Sequence, residues 1–161
     1  MNGMYLLYNL VGSGAALAVG PPLWLLWRRK RCDRDRFRQR LGFYPQKFGR
    51  CPSQRPCIWL HAVSVGEVGV AQVIVDALHR QVPGCRIVLS TTTEQGMARA
   101  RALFGTEVLC FYAPVDLYCA TRRALNIIRP DILVLLETEI WPNLIVNASR
   151  MGIRTACLNG R

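Results

Sequence analysis

The sequence lacks the cysteine patterns that organise small secreted domains and zinc sites. Its 161 residues contain seven cysteines, an odd number, with no C-x-x-C pair and no Cys/His spacing typical of a metal ligand set. We therefore expect neither a disulfide framework nor a zinc centre, and we expect a reducing compartment. With 51% hydrophobic and 19% charged residues, the chain is too apolar to be disordered. Its length predicts about one domain.

Residues 1–27 contain no acidic or basic side chain, and the basic side chains are concentrated just after them. Residues 28–55 carry eleven Lys and Arg side chains against two Asp, a local net charge of +9, whereas residues 56–161 carry only +2. A nucleic-acid-binding domain needs basic groups on its folded surface with aromatic side chains between them. Because that pattern is missing here, we expect no nucleic-acid partner.

The uncharged run from Tyr5 to Trp27 predicts an N-terminal membrane anchor. Its 23 residues are long enough to cross a hydrocarbon core of roughly 30 Å. The basic cluster at Arg28–Arg40 would bind anionic lipid and keep the following chain in the cytoplasm. Because Pro21-Pro22 interrupts the helix, a segment lying in the interface is the alternative to a spanning one. A cleavable signal peptide is disfavoured, since no basic segment precedes the apolar run.

From residue 56 onward, β-type runs alternate with helical ones. Four segments with apolar residues at helical spacing separate five runs rich in Val, Ile and Leu, namely IWLHAV, RIVLST, EVLCFY, DILVLL and RTACL. This alternation predicts an α/β fold with a Rossmann-like parallel sheet covered on both faces. The chain then divides into a membrane anchor at 1–27, a basic juxtamembrane segment and loop at 28–55, and the α/β domain at 56–161.

Polar residues cluster where each predicted strand ends. In parallel sheets of this kind, ligands bind outside the carboxyl ends of the strands. We therefore expect the functional cleft along this edge. The clusters are Ser64–Glu67, Thr91–Gly96, Tyr112–Asp116, Glu137–Trp141 and Asn159–Arg161.

The first of these turns has two interpretations. Ser64-x-x-Glu67 is the pattern of a capping box, which needs no ligand. A carboxylate at the mouth of a cleft can equally act as a general base. Gly66 would permit a sharp turn or the close approach of a ligand. The three spaced glycines of a dinucleotide site are absent.

The remaining polar groups also have structural interpretations. Glu137 either caps the following helix or faces a developing positive charge, while Glu139 could pair with an arginine, and no cation-binding motif accompanies them. Arg161 cannot be interpreted from spacing alone. Structural roles are expected for the others: helix caps at Thr91–Glu94 and Asp116, a hydrogen-bonded His61 and a surface His79.

Seven motifs follow one another along the chain: Arg40–Tyr44, Trp59–Glu67, Thr91–Thr93 with Gly96, Tyr112–Leu117, Arg129–Asp131, Glu137–Leu144 and Asn159–Arg161. In this order they resemble the N-terminal half of the 3-deoxy-D-manno-octulosonic acid (Kdo) transferases of lipopolysaccharide synthesis. The most specific are His-x-x-Ser-Val-Gly-Glu and Glu-Thr-Glu-x-Trp-Pro. The resemblance covers essentially the whole chain, including the apolar N-terminus.

The resemblance implies a GT-B glycosyltransferase with two Rossmann-like domains. The first would bind the lipid A precursor, and the second would supply most of the site for CMP-Kdo. Glu67 would be the general base and Glu137 the group that stabilises the transition state, with Ser64, Gly66, Thr93 and Arg161 as substrate-binding residues. Transfer would invert the anomeric centre without a metal or other cofactor. A carboxylate beside an oxocarbenium-like centre fits this chemistry.

The same resemblance predicts a location and a limit to activity. We expect the protein at the cytoplasmic face of the bacterial inner membrane, anchored by its N-terminus. Because the sequence stops inside the last motif, we expect the C-terminal donor domain to be missing and this chain alone to be inactive. The alternative is a non-catalytic, membrane-tethered module that binds a lipid or a partner. The catalytic hypothesis expects Glu67 to point into an open crevice beside Glu137.

Overall fold

A computed structural model describes residues 3–12, 14, 31–45, 48, 55–137 and 140–158. Residues 3–12 are helical and form α1. The strands are β1 (Cys57–His61), β2 (Arg86–Thr91), β3 (Leu109–Tyr112), β4 (Ile132–Leu136) and β5 (Arg154–Leu158). The other helices are α2 (Arg31–Arg40), α3 (Val65–Gln81), α4 (Glu94–Phe104), α5 (Tyr118–Ile128) and α6 (Pro142–Arg150).

The five strands form one parallel sheet with the order β3-β2-β1-β4-β5. The chain moves outward from β1 to β3 and then crosses back to β4 on the other side of β1, so the strand order reverses between β1 and β4. In open α/β sheets that reversal is where ligands bind. The predicted α/β fold and Rossmann-like parallel sheet are confirmed: β2 and β5 match the predicted runs, and the ends of β1, β3 and β4 lie within two residues of theirs.

Helices cover both faces of the sheet, and side chains alternate between them along β1. Ile58 and Leu60 pack with apolar residues of α3 and α4 in one buried cluster. Trp59 packs on the opposite face with residues of α5 and α6 and with the rings of Tyr44 and Phe111. Because both faces are buried, the central strands are continuous apolar runs, which is why they were visible in the sequence.

The helix that follows β3 begins differently from the prediction. Asp116 was expected to cap its own helix, but α5 has Leu117 at its N-cap position and no side-chain cap. Instead, the two carboxylate oxygens of Asp116 accept hydrogen bonds from the backbone N–H groups of Asn143, at 3.0 Å, and Leu144, at 2.9 Å. Asp116 is therefore a cap, but for α6. The expectation was wrong because this partner is distant in sequence.

The basic helix α2 packs across the carboxyl ends of β2 and β3. The side chain of Gln39 accepts a hydrogen bond from the backbone N–H of Tyr112 at 2.9 Å. Arg40 donates to the backbone carbonyl of Thr92 at 2.6 Å, and the hydroxyl of Tyr44 donates to the carbonyl of Tyr112 at 3.0 Å. Part of the charge run expected in the juxtamembrane segment thus borders the edge where the functional cleft was predicted.

The N-terminal helix α1 contacts the same end of the domain. The Tyr5 hydroxyl donates to Asn143 at 2.7 Å, and the Tyr8 hydroxyl donates to Asp116 at 2.8 Å. Most of the anchor expected over 1–27 lies outside the described residues. Within the described part of the chain, no helix combines the length and apolar character needed to cross a bilayer.

Candidate active site

The polar turns predicted from the sequence meet at the carboxyl edge of the sheet. The turn at Ser64 follows the central strand β1, Thr91–Thr93 ends β2, and Glu137 follows β4, the strand on the other side of β1. The hydroxyls of the three threonines donate to the carbonyl of Val63 at 3.2, 3.1 and 3.4 Å. These bonds hold the first two turns against each other.

Glu67 forms a complete capping box with Ser64. One of its carboxylate oxygens accepts from the backbone N–H of Val63 at 2.7 Å, and the other accepts from that of Ser64 at 3.2 Å. In return the Ser64 hydroxyl accepts from the backbone N–H of Glu67 at 3.3 Å. The first turn of a helix leaves backbone N–H groups without partners. At the β1–α3 turn, the three hydrogen bonds described here give partners to the N–H groups of Val63, Ser64 and Glu67.

The expected open crevice around Glu67 is not observed. The residue is only 4% exposed, because its carboxylate folds back onto the N–H groups of its own turn. The capping interpretation, which the resemblance had made the less favoured one, is the arrangement present in the structure. Glu67 nevertheless lies at the predicted edge, immediately beside the loop that carries Val63 and Ser64.

The described residues leave space above the same turn. Among them, a Cβ built on Gly66 would meet only the Ser64 hydroxyl oxygen, at 3.8 Å. A ligand can therefore approach this backbone closely. The carboxylate of Glu67 has about four lone-pair positions, of which the two backbone bonds use two. A hydroxyl brought to this turn has acceptor positions left to bind.

Glu137 is exposed and has an unusual backbone. Its φ of 61° lies in the left-handed region, which costs a non-glycine residue about 1–2 kcal/mol. Its N–H donates to the carbonyl of Leu158 at 2.8 Å, and its carbonyl accepts from the thiol of Cys157 at 3.0 Å. These contacts to β5 fix the strained backbone and leave the carboxylate in solvent.

The sheet register brings Glu137 level with the β1 turn. His61 and Leu135 are register partners on neighbouring strands, and Val63 and Glu137 each lie two residues further along. The alternative in which Glu137 caps the next helix is wrong. The N-cap residue of α6 is Trp141, whose side chain makes no capping hydrogen bond. The cap comes from the carboxylate of Asp116.

A buried hydrogen-bond chain supports the end of β1. The indole N–H of Trp59 donates to the Ser90 hydroxyl oxygen at 2.8 Å, and that hydroxyl lies 2.8 Å from Nδ1 of His61. Complete burial lowers the pKa of His61 to about 4, so the ring is neutral at physiological pH. Its ring packs edge-to-face against Trp141, with centroids 4.9 Å apart. The predicted structural, hydrogen-bonded role of His61 is confirmed.

Two arginines at this edge were not predicted as site residues. The guanidinium carbons of Arg36 and Arg40 lie 5.3 and 5.8 Å from the ring centroid of Tyr112, and Arg36 forms an ion pair with Glu94. Burial, together with the charge of Arg36, lowers the pKa of Arg40. Their four-residue spacing in α2 was a usable signal, but the charge run suggested a lipid-facing surface.

The other site predictions have mixed outcomes. The Thr93 hydroxyl accepts from the N–H of Gly96 at 3.0 Å, which confirms the cap of α4, and His79 is exposed as predicted. Arg161, Glu139 and the rest of the last motif lie outside the described residues. Among the residues that are described, no group of three His, Cys, Asp or Glu side chains could hold a metal ion.

Comparison with known proteins identifies relatives of this chain. A family model described as 3-deoxy-D-manno-octulosonic-acid transferase (kdotransferase) matches residues 35–161. The chain is 39% identical to a 3-deoxy-D-manno-octulosonic acid transferase of Haemophilus influenzae over 128 residues, which is 80% of the chain and 29% of the relative. It is 34% identical to the transferase of Bordetella pertussis, over 91% of the chain and 36% of that protein.

A third relative is also similar. The probable mitochondrial 3-deoxy-D-manno-octulosonic acid transferase of Arabidopsis thaliana is 31% identical over 98% of the chain and 34% of its own length. The chain therefore spans about a third of the length of the curated relatives it matches. The family model begins inside α2 and includes every strand of the sheet. The chain belongs to the Kdo transferase family.

Proposed function

We propose that this chain is the acceptor-binding domain of a glycosyltransferase that transfers Kdo from CMP-Kdo to a lipid A precursor, lipid IVA, in lipopolysaccharide synthesis. The observation that carries the proposal is the position of Glu67: a carboxylate at the carboxyl edge of the central strand, with lone pairs left over and an open backbone surface at Gly66 beside it. Family membership supplies the reaction class.

In the proposed reaction, a sugar hydroxyl of the acceptor attacks the anomeric carbon of Kdo. The bond from that carbon to the CMP phosphate breaks with its electron pair, a new carbon–oxygen bond forms on the opposite face, and Glu67 takes the hydroxyl proton. Attack opposite the leaving group inverts the anomeric centre, and no metal or cofactor enters the step. General base catalysis of this kind contributes about 10²–10⁴-fold.

Glu137 has a separate role in this proposal. The anomeric carbon develops positive charge as the bond to phosphate breaks, and a preorganised carboxylate nearby stabilises that charge. Glu137 is exposed, follows the strand next to β1, and is held by backbone contacts to β5. Its strained backbone is consistent with a functional position, since such strain clusters at active sites.

The capping box sets the cost of using Glu67 as a base. Of its two backbone bonds, the one to Ser64 is the longer, at 3.2 Å against 2.7 Å to Val63. Giving up the longer bond costs about 1 kcal/mol, and an acceptor hydroxyl donating to the released oxygen offsets that cost. We propose that Ser64, Gly66 and Thr93 contact the substrate around this turn, and that Arg161 is a further substrate-binding residue.

The proposal extends to the rest of the enzyme. A second Rossmann-like domain of a GT-B fold would bind CMP-Kdo, so the 161-residue chain alone would not catalyse transfer. The N-terminal segment 1–27 would hold the domain at the cytoplasmic face of the inner membrane, where the lipid acceptor lies. The exposed apolar residues of α1, among them Met4 and Leu10, support contact with lipid.

The test is a chimera in which this chain replaces the matched segment of the Haemophilus influenzae relative, assayed for transfer from CMP-Kdo to lipid IVA. Glu67→Gln keeps a side chain able to complete a capping box but removes the base, so we expect a loss of about 10²-fold or more. Glu107→Gln is the matched control: it makes the same chemical change at an exposed residue outside the proposed site, and it should retain most activity.

Three results would overturn the catalytic role. They are an inactive parent chimera that is folded, an active Glu67→Gln variant, and equal losses in both variants. A non-catalytic lipid-binding module is the alternative that the second and third results would support. In that case lipid IVA binding would be retained by both variants, and transfer would not depend on the carboxylate of Glu67.

A further inference from the structure

Arg40 is a half-buried cation without a carboxylate partner among the residues that the structure describes. Its Nη2 donates to the carbonyl of Thr92 at 2.6 Å, and its guanidinium lies 5.8 Å from the ring centroid of Tyr112. Its Nε is buried and has no hydrogen-bond partner in the described part of the chain. A buried N–H group without an acceptor costs free energy, so the charge of Arg40 is poorly compensated in this structure.

A second cation lies one helical turn away. Arg36 is four residues before Arg40 on α2, so the two side chains share a helix face, and both approach the ring of Tyr112. Burial is the main cause of the lowered pKa of Arg40, and repulsion from Arg36 is the next. An anion placed between the two guanidinium groups would relieve that repulsion.

The carboxylate near this pair, Glu94, is the most exposed member of the group. The Arg36 side chain is 17% exposed, whereas that of its ion-pair partner Glu94 is 65% exposed. Exposed ion pairs contribute little stability, so Glu94 can swing into solvent at small cost. Both arginines lie against the ring of Tyr112 at the end of β3, and Arg40 is also hydrogen-bonded to Thr92.

The pair also lies where a substrate would be bound. Arg40 bonds the backbone of Thr92, and Thr92 and Thr93 both bond the carbonyl of Val63 in the turn that holds Glu67. Arg40 is thus linked to the proposed catalytic carboxylate through three hydrogen bonds, at the same edge of the sheet.

We propose that Arg36 and Arg40 form a subsite for a phosphate group of a substrate, with Glu94 occupying the site until the phosphate replaces it. Guanidinium groups bind phosphate oxygens through charge-assisted hydrogen bonds. Assigning the phosphate to a substrate of the transferase rests on the proposed function, but the binding of phosphate does not. The donor and the acceptor are the two possible sources of the group.

Isothermal titration of the 161-residue chain with inorganic phosphate at about 0.15 M ionic strength tests the subsite directly. Arg40→Gln should weaken binding by about tenfold or more, the loss expected for a charge-assisted hydrogen bond. Arg99→Gln changes an exposed arginine on α4 and makes the same change in net charge. It should leave the affinity within about twofold, because dissolved salt screens exposed charges.

Glu94→Gln gives a result that misfolding cannot imitate. Removing the competing carboxylate should tighten phosphate binding by several-fold, whereas Glu107→Gln, an equal charge change at an exposed residue, should not. Absence of saturable binding in both the parent chain and Glu94→Gln would overturn the proposal. Wild-type affinity in Arg40→Gln, or equal gains in the two glutamate variants, would do the same.

Two further titrants separate the sources of the phosphate. CMP represents the donor, and glucosamine 1-phosphate represents a phosphorylated sugar acceptor. The titrant whose affinity falls with Arg40→Gln and rises with Glu94→Gln identifies the substrate. Because the binding of inorganic phosphate is measured without turnover and involves no sugar hydroxyl, a failed catalytic role for Glu67 would leave this test intact.

Discussion

Asp116 and Asn143 are joined by two hydrogen bonds that fix the start of α6 to the turn after β3. The Asp116 carboxylate accepts from the backbone N–H of Asn143 at 3.0 Å, and the Asp116 carbonyl accepts from the Asn143 side-chain amide at 2.6 Å. The hydroxyls of Tyr5 and Tyr8 donate to the same two side chains. One contact therefore holds together α1, the β3–α5 turn and the helix that follows the Glu137 loop.

Asp116→Ala should lower the free energy of unfolding by about 2–3 kcal/mol. The substitution removes the cap of α6, worth about 1 kcal/mol or more, and leaves the N–H groups of Asn143 and Leu144 without acceptors. Asp76→Ala is the matched control, because Asp76 is exposed on α3. Urea unfolding followed by circular dichroism measures both, and equal midpoints for the two variants would contradict this role of Asp116.

Stability should fall as the solution is acidified below about pH 6.5. Burial holds the pKa of His61 at about 4 in the folded protein, against 6.5 for the free side chain. Between these values the unfolded chain binds a proton that the folded protein does not, so the unfolded state gains stability as pH decreases. The contribution is constant above pH 6.5, and about 3 kcal/mol is lost by pH 4.

Two variants assign this pH dependence to His61. His79→Gln changes an exposed histidine of α3. It should preserve the dependence of the unfolding free energy on pH between pH 7 and pH 5. This range is the upper part of the window set by the lowered pKa of His61. His61→Gln should reduce that slope while lowering stability at every pH, since the contact with Ser90 is lost. An NMR titration in which the His61 ring protonates near pH 6.5 would contradict the prediction.

Gly96→Ala should loosen the contact between the β1 and β2 turns. A Cβ at residue 96 would collide with the hydroxyl oxygen of Thr91 and lie 2.8 Å from that of Thr93, and both hydroxyls bond Val63. Overpacking of this kind costs about 1–3 kcal/mol. Gly69→Ala is the control, because a Cβ there meets no atom of the described residues within 4 Å, and it should stabilise α3 by about 0.5–1 kcal/mol.

The features that could be predicted from sequence are those with local causes. The strands were visible because both faces of the sheet are buried, and the caps at Ser64 and Thr93 were visible because each partner lies three residues away. The cap of α6 could not be found in this way, since Asp116 lies 27 residues before Asn143. Only the packed sheet brings the two together.

In the candidate site, too, the sequence predicted local features but not the contacts made between distant segments. Sequence placed Glu67 and Glu137 at the correct edge but could not decide where the Glu67 carboxylate points, because a capping box and a general base share one pattern. The local N–H groups of Val63 and Ser64 decided it. Arg36 and Arg40 were assigned to a lipid-facing run because their contacts to Thr92 and Tyr112 depend on tertiary packing.

Glu137→Gly and Glu137→Gln separate backbone strain from charge. Glycine adopts the left-handed φ of 61° without the penalty of about 1–2 kcal/mol that Glu137 carries, and the greater freedom of its unfolded chain returns about 0.5–1 kcal/mol of that gain. Glu137→Gly should therefore be more stable than the parent by about 0.5 kcal/mol in urea unfolding, and Glu137→Gln should match the parent because it keeps the strained backbone.

In the transferase chimera both variants lack the carboxylate, so both should lose transfer activity to the same extent. If Glu137→Gln kept parental activity and only Glu137→Gly lost it, the turn would depend on its backbone geometry, and the proposed stabilisation of positive charge by Glu137 would be wrong.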